Sequence, residues 1–214
     1  MTIKQGEKLP DAVLMEMTEN GPEPRKTDDI FAGKTVALFA VPGAFTPTCS
    51  AKHLPGFIEK AGELEGKGVD DIVCTSVNDV FVMNAWGEQA KTGGKVRMLA
   101  DGNGAFAEAL GLEMDASGFG MGKRSKRYSM LVKDGVVDIT FTLPGYTAGR
   151  FPKTEVFELP FVHTTTQATT AAIQDFQDKH LKDEWSAYHV LLLNNHAGSL
   201  IQSKKPVLKM ADFK

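Results

Sequence analysis

With 214 residues, 42 % of them hydrophobic and 24 % charged, the chain has the make-up of a soluble globular protein able to bury one good core. A net charge of −3 and a pI near 6.0 supply no general attraction to nucleic acid or to an anionic membrane, so neither is expected as a partner. No run of about 18 apolar residues is present to cross a bilayer. The N-terminal stretch has neither the apolar core of a signal peptide nor the Arg-rich pattern of a transit peptide. Two cysteines, neither in a C-x-x-C pair, argue against a disulfide scaffold and for a reducing, cytoplasmic compartment.

In chain order, Ala12–Met17 is the first predicted strand, and Glu19–Glu23 with Gly21, Pro22 and Pro24 reads as a polar turn. Thr27 is placed to cap a single helical turn, Asp28–Phe31, which Gly33 ends. The apolar, partly β-branched run Thr35–Val41 predicts a buried strand. Pro42, Gly43 and Pro47 break that pattern. From Thr48 onward Leu54, Phe57, Ile58, Ala61 and Leu64 fall at helical spacing, until Gly66 and Gly68 stop the helix. Cys49 therefore sits in a first helical turn, where backbone N–H groups lack partners and the dipole is positive. That environment favours thiolate, the reactive form of cysteine. Packing alone does not require the Pro-x-x-x-Thr-x-x-Cys spacing of Pro42, Thr46 and Cys49, so Cys49 reads as a nucleophile rather than an inert core thiol.

Asp71–Val77 predicts a second buried strand, and Asn78 or Asp79 caps a helix over Val80–Ala90 with Phe81, Ala85 and Trp86 on one face. Lys95–Ala100 is a third strand, and the Asp101–Gly104 turn leads into a short helix, Ala105–Leu110. A Gly-rich basic loop, Gly118–Lys126, precedes a fourth core strand, Arg127–Lys133, which Asp134-Gly135 turns back into Val136–Phe141. Strands alternating with helices and closed by a hairpin give an α/β fold: a central mixed sheet flanked by helices, compatible with a thioredoxin-like sandwich. Beyond it, Pro144–Lys153 is loop-like and Val156–Val162 an edge-strand candidate. Ile173, Phe176, Leu181, Trp185, Tyr188 and Leu192 form a stripe that predicts a long amphipathic helix. Two domains are expected, residues 1–160 and a C-terminal helical extension over 161–214. The histidines show no metal-ligand spacing, and His180 with Glu184 reads as a solvated helix face.

The segment VPGAFTPTCS around Cys49 resembles the type II, peroxiredoxin-5-like group of peroxiredoxins. HLPGFIEKA at His53–Ala61, SVNDVFVMNAW at Ser76–Trp86, LADGNGAF at Leu99–Phe106 and KRSKRYSMLVKDGVV at Lys123–Val137 extend the resemblance over about residues 3–141. It implies a thioredoxin fold, thiol-dependent reduction of hydrogen peroxide and alkyl hydroperoxides, no metal, no organic cofactor and a homodimer. Cys49 is the expected nucleophile, with Thr46 holding the peroxide, Pro42 shielding the sulfur, and the backbone N–H groups of Gly43 and Cys49 donating to the polarised oxygens. Arg127 is expected to bring a fixed positive charge with planar donors from a separate strand. Arg124 is read as a support or a surface charge, and His53 as structural or capping rather than as a base. Phe45 and Phe81 make an apolar rim, and Trp86 is either part of that rim or core.

The product is a sulfenic acid on Cys49, which a second thiol must reduce. Cys74 is similar in position to the second cysteine of the plant-type subgroup, yet it lies in a predicted buried strand. It reads either as a core thiol, leaving glutathione, glutaredoxin or thioredoxin to attack the sulfenate, or as the resolving thiol. A second functional reading is a peroxide-sensing redox switch or holdase chaperone in which turnover is incidental. After Phe141 the resemblance fades. The stripe there stands for a displaced closing helix, an added dimerisation arm, or an altered-frame tail.

Overall fold

Alternation along Thr35–Ala40 sorts the core into two layers: Val36, Leu38 and Ala40 point into one, and Ala37 and Phe39, with Val41 just beyond, into the other. The computed structural model describes residues 2–142, 153, 166–181 and 183–185. Its first half contains β1 (Val13–Thr18), β2 (Gly21–Lys26), α1 (Thr27–Phe31), β3 (Thr35–Ala40), α2 (Leu54–Gly66), β4 (Asp71–Ser76) and α3 (Val80–Ala90). There follow β5 (Arg97–Ala100), α4 (Ala105–Ala109), β6 (Glu113–Asp115), β7 (Lys123–Ser125), β8 (Tyr128–Lys133) and β9 (Val136–Thr142).

Seven strands form one sheet in the order β2-β1-β5-β4-β3-β8-β9. β3, β4 and β5 are parallel, whereas β8 and β9 close the sheet antiparallel to β3. Because β3, β4 and β5 step across the sheet in one direction, right-handed crossovers put both connecting helices on the same face. Leu54 and Ala61 of α2 and Met83 and Trp86 of α3 accordingly pack with Phe39, Ile72 and Cys74. Ile30 and Phe31 of α1 and Phe106 of α4, with Leu110 just after it, cover the opposite face, over Leu38, Val73, Leu99 and Met130. This is the expected mixed sheet between helices. The hairpin turn also forms where predicted, with Asp134 and Gly135 both at positive φ (48° and 75°), as a two-residue loop between right-twisted strands requires.

Four local expectations are corrected. The polar turn predicted over Glu19–Glu23 is confined to Glu19 and Asn20, and from Gly21 the chain is instead β2, an edge strand. Pro22 and Pro24 face Met17 and Met15 of β1 on alternate residues, where the missing N–H would point away from the ladder. Thr27 does not cap α1; its Oγ1 accepts the Ala12 N–H (3.2 Å), while Asp29 accepts the Lys26 N–H (3.4 Å). The basic loop contains β7, which pairs with β6 in ladders of three residues, too short to show alternation. On α3 the buried residues are Val80, Met83, Trp86 and Gly87, whereas Phe81 and Ala85 face solvent. Phe81 and Ala85 share one side of the helix, and Trp86 lies on another. The Asp79 cap is as expected, accepting from the Val82 N–H at 2.9 Å.

The chain divides into two compact units, Met1–Thr142 and Leu143–Lys214. In the second, α5 (Thr166–His180) carries Ile173, which is buried with Leu181, and Phe176 and Trp185 pack against them. The stripe is thus shorter as a helix than predicted, because Leu181 and Trp185 join the cluster from the turn after α5. In that turn Lys153 Nζ pairs with Asp183 at 2.8 Å, and the Lys153 N–H donates to Glu184 at 2.7 Å. Glu184 therefore belongs to this turn rather than to a solvated helix face. Tyr188, Leu192, the strand candidate Val156–Val162 and residue 160, where the domain boundary was expected, lie outside the described residues.

Candidate active site

Sheet register assembles the site. Ala40, the last residue of β3, stands opposite Thr75 of β4 on one side and Tyr128 of β8 on the other. Val41 continues the β4 ladder by donating to the Thr75 carbonyl (3.1 Å). The chain leaving β3 therefore runs between the end of β4 and the start of β8. Residues 76–78 flank it on one side and Arg127 on the other, at the carboxyl edge of the parallel strands, where α/β sheets place their ligands.

Cys49 opens a π-helical turn, Cys49–His53, that continues into α2, with the Leu54 N–H donating to the Cys49 carbonyl. A plain α-helix was expected. Pro55 explains the change: it has no N–H for the Ala51 carbonyl, and its ring would crowd that oxygen, so the helix widens by one residue. The Cys49 side chain is fully buried. Arg127 forks between two partners: Nη2 donates to Cys49 Sγ at 3.1 Å, and Nη1 lies 2.8 Å from His53 Nδ1. A guanidinium only donates, so Nδ1 accepts and the imidazole proton sits on Nε2. The ring packs beside Phe39 and Phe57, with centroids 5.1 and 5.6 Å away. Burial, reinforced by the Arg127 charge, lowers the His53 pKa to about 4. His53 thus bonds Arg127 rather than the thiol, which favours the structural role over a Cys–His base pair.

A pH dependence of stability follows. The unfolded chain protonates His53 near its ordinary value of 6.5, whereas the folded protein resists until about 4. Between these values the unfolded state holds more protons, so stability falls as pH falls from 6.5 towards 4. Allowing for solvent screening at this half-buried ring, the loss is about 2 kcal/mol. Urea unfolding at pH 7 and pH 4.5 should show that share missing from His53→Gln; identical losses in parent and variant would count against it.

Thr46 Oγ1 donates to the Gly43 carbonyl at 2.9 Å, which occupies the hydroxyl proton and leaves its lone pairs as acceptors. Thr46 also accepts the Ser50 N–H at its carbonyl (3.0 Å), tying the loop to the nucleophile turn. Gly43 is buried; a Cβ there would lie 3.2 Å from Thr46 Cγ2 and 3.3 Å from Met121 Cε, so a larger residue would have to displace these side chains by a few tenths of an ångström. Pro42 is half-buried, and Phe45 and Phe81 are exposed at 45 % and 65 %. Trp86 is core, and its indole Nε1 donates to Ser50 Oγ (3.0 Å), next to the nucleophile. Arg124 is a support: it donates to the carbonyls of Met121 (2.8 Å) and Val77 (2.6 Å). Cys74 is fully buried on the α2–α3 side of the sheet, and burial, with the nearby Cys49 sulfur, pushes its thiol well above the ordinary range.

Of the expected residues, Cys49 and Arg127 meet directly, and Thr46 and Gly43 meet each other. The sequence reading gave Ser50 and Ser76 no part and considered Asn78 only as an alternative to Asp79 for capping α3, and it did not link His53 to Arg127. Asn78 Oδ1 accepts from the Ala44 N–H and from Ser76 Oγ, both at 2.9 Å. A Ser-x-Asn at the end of a predicted strand was the available signal. Among the described residues no group of three His, Cys, Asp or Glu is arranged to hold a metal ion, and no helix is long and apolar enough to cross a membrane.

A buried thiol in sulfur–guanidinium contact, at the mouth of a helix on a thioredoxin-like sheet, is a cysteine site built to favour ionised sulfur. The chain belongs to the Redoxin family, whose family model matches residues 4–156. It is 50 % identical to Peroxiredoxin-2B of Arabidopsis thaliana over 133 residues, covering 62 % of this chain and 82 % of the relative. It is 54 % identical to chloroplastic Peroxiredoxin-2E-2 of Oryza sativa subsp. japonica over 143 residues, 64 % of each chain. The match thus spans under two thirds of that relative's length. Among solved structures, reduced Prx3 from Vibrio vulnificus in complex with H2O2 is similar at 52 % identity and a TM-score of 0.64, covering 66 % of this chain and 89 % of that one. Peroxiredoxin 5 from Alvinella pompejana is similar at 38 % identity and a TM-score of 0.61, covering 66 % and 90 %. A second family model, bacterial extracellular solute-binding protein family 7, matches residues 111–214. Its first part falls on β6–β9, which in this structure belong to the peroxiredoxin-like unit.

Proposed function

We propose that the protein is a thiol-dependent peroxidase that reduces hydrogen peroxide and alkyl hydroperoxides at Cys49. The observation that carries this reading is the 3.1 Å bond from Arg127 Nη2 to the fully buried Cys49 Sγ. A charge-assisted donor favours ionised sulfur and, as reaction proceeds, the negative charge growing on the departing oxygen. The thiolate attacks the proximal oxygen of the peroxide, forming S–O as O–O breaks. The peroxide is reduced by two electrons, the distal oxygen leaves as hydroxide or alkoxide and takes up a proton, and Cys49 becomes a sulfenic acid. Thr46 Oγ1, its proton engaged by Gly43, accepts from the peroxide O–H, and the Gly43 and Cys49 N–H groups donate to the peroxide oxygens.

A thiol then attacks the sulfenic sulfur, releasing water and leaving a disulfide that a second thiol reduces. We assign both steps to external thiols, from glutathione with glutaredoxin or from thioredoxin, because Cys74 is buried and held protonated by that burial. Both cysteines are unbridged, which suits a thiol-reducing compartment such as the cytosol; cell fractionation tests that placement. The exposed Phe45 and Phe81 suit alkyl substrates and a homodimer contact, which gel filtration reads directly.

The deciding experiment supplies catalytic protein, excess thiol donor and hydrogen peroxide. Continuous peroxide loss over many equivalents supports the peroxidase; one equivalent consumed and then silence supports the sensing switch instead.

A further inference from the structure

We infer that Asn78 is a positioning residue for this reaction: its amide holds the loop of residues 42–46 so that Gly43 and Thr46 stay in register with Cys49. The inference rests on the peroxidase reading above. Phe45 sits at φ 60°, in the left-handed region that a bulky side chain rarely adopts, so something must hold the loop in that shape. Thr46 Oγ1 to the Gly43 carbonyl cannot do so, because it joins the loop only to itself. At its far end the loop is tied to the nucleophile turn, where Ser50 donates to the Thr46 carbonyl. Its tie to the sheet beyond Val41 is the 2.9 Å bond from the Ala44 N–H to Asn78 Oδ1.

Ala44 N–H can only donate, so the atom facing it is the amide oxygen, and the orientation of Asn78 is settled by its partner. The same oxygen accepts from the hydroxyl of Ser76 (2.9 Å), a fully buried residue. The Ser76 carbonyl in turn accepts the Asn78 N–H (2.8 Å) and the Asp101 N–H (3.0 Å). Asn78 is thus seated on the end of β4, and it grips the residue immediately before the strained one. Without that grip Phe45 relaxes to negative φ. Thr46 then turns away from the register it needs, while Arg127, which approaches from β8, stays on the sulfur.

The test separates alignment from thiol chemistry. Asn78→Leu keeps the volume and loses the acceptor; Asn78→Asp keeps the acceptor. Two rates are compared in each full-length protein: the second-order rate with hydrogen peroxide and the rate of alkylation by iodoacetamide, which needs the sulfur but not the loop. For Asn78→Leu the peroxide rate should fall by about 10- to 100-fold, the range expected for a misplacement of about an ångström, with alkylation unchanged within about twofold. Asn78→Asp should recover most of the peroxide rate. The inference is overturned if Asn78→Leu keeps the parent's peroxide rate, if both rates fall together, or if the aspartate variant is as slow as the leucine one. Should the leucine variant not fold, Ser76→Ala, which removes the hydroxyl that seats the amide, decides on the same ratio of rates. A parent protein that reacts with peroxide no faster than an ordinary thiol defeats the peroxidase reading itself, an outcome visible before any variant is made.

Discussion

Cys49→Ser should leave no peroxide consumption above the uncatalysed background, however much thiol donor is supplied. A serine hydroxyl at the same buried position does not ionise near neutral pH, and it has no neighbouring base: His53, the imidazole within reach, is turned to Arg127. The fold should survive, because oxygen replaces sulfur on a side chain whose polar contact, the Arg127 Nη2 donor, an oxygen also accepts. Mass spectrometry of the peroxide-treated parent is the companion measurement. Added oxygen confined to Cys49 supports external resolution, whereas a bridge from Cys49 to Cys74 would overturn it. Bridging needs Cα atoms within about 7 Å, and Cys74 is fixed in β4 by its pairing with Phe39 and Met98. If Cys74→Ser keeps full turnover with glutathione and glutaredoxin, the internal disulfide has no part in the cycle.

Arg127→Gln should slow the reaction with peroxide by about 10²- to 10³-fold, the usual cost of removing one preorganised donor from a developing oxyanion. Two losses combine in it. The sulfur loses the charge-assisted donor at 3.1 Å, and the leaving oxygen loses a fixed cation beside a buried sulfur. Arg127→Lys should fall between parent and glutamine variant, since an ammonium keeps the charge but cannot span sulfur and imidazole with one planar fork. Stopped-flow rates with hydrogen peroxide rank the three proteins. A glutamine variant within a few fold of the parent would show that the guanidinium is scaffolding and would remove the observation on which the peroxidase reading rests.

The nucleophile loop and the main strands were legible in the sequence because each is a local pattern. Apolar β-branched runs, the Asp-Gly hairpin turn, the Asp79 cap and the Pro-x-x-x-Thr-x-x-Cys spacing all act within a few residues of themselves. Where local patterns were overruled, a neighbour supplied what the residue lacked. Pro22 and Pro24 became strand because β2 has a free edge to turn their missing donors towards. The face of α3 went astray because Phe81, grouped by its apolar character with Trp86, is left at the surface by the way Met83 and Trp86 meet the sheet.

Composition and order along the chain determined the layered fold, the identity of the reactive sulfur and the family resemblance, since these depend on periodicity and on contiguous residues. Only the tertiary structure decided what surrounds that sulfur. Arg127 reaches it because β8 pairs with β3 in the register that sets Tyr128 opposite Ala40. His53 becomes the acceptor on Arg127 because Phe39, Phe57 and burial keep it uncharged. Asn78 grips Ala44 because β4 ends beside the loop. These partners stand 74 residues apart in one case and 34 in another, and a distance of that kind is bridged by strand pairing, which no short stretch of sequence encodes.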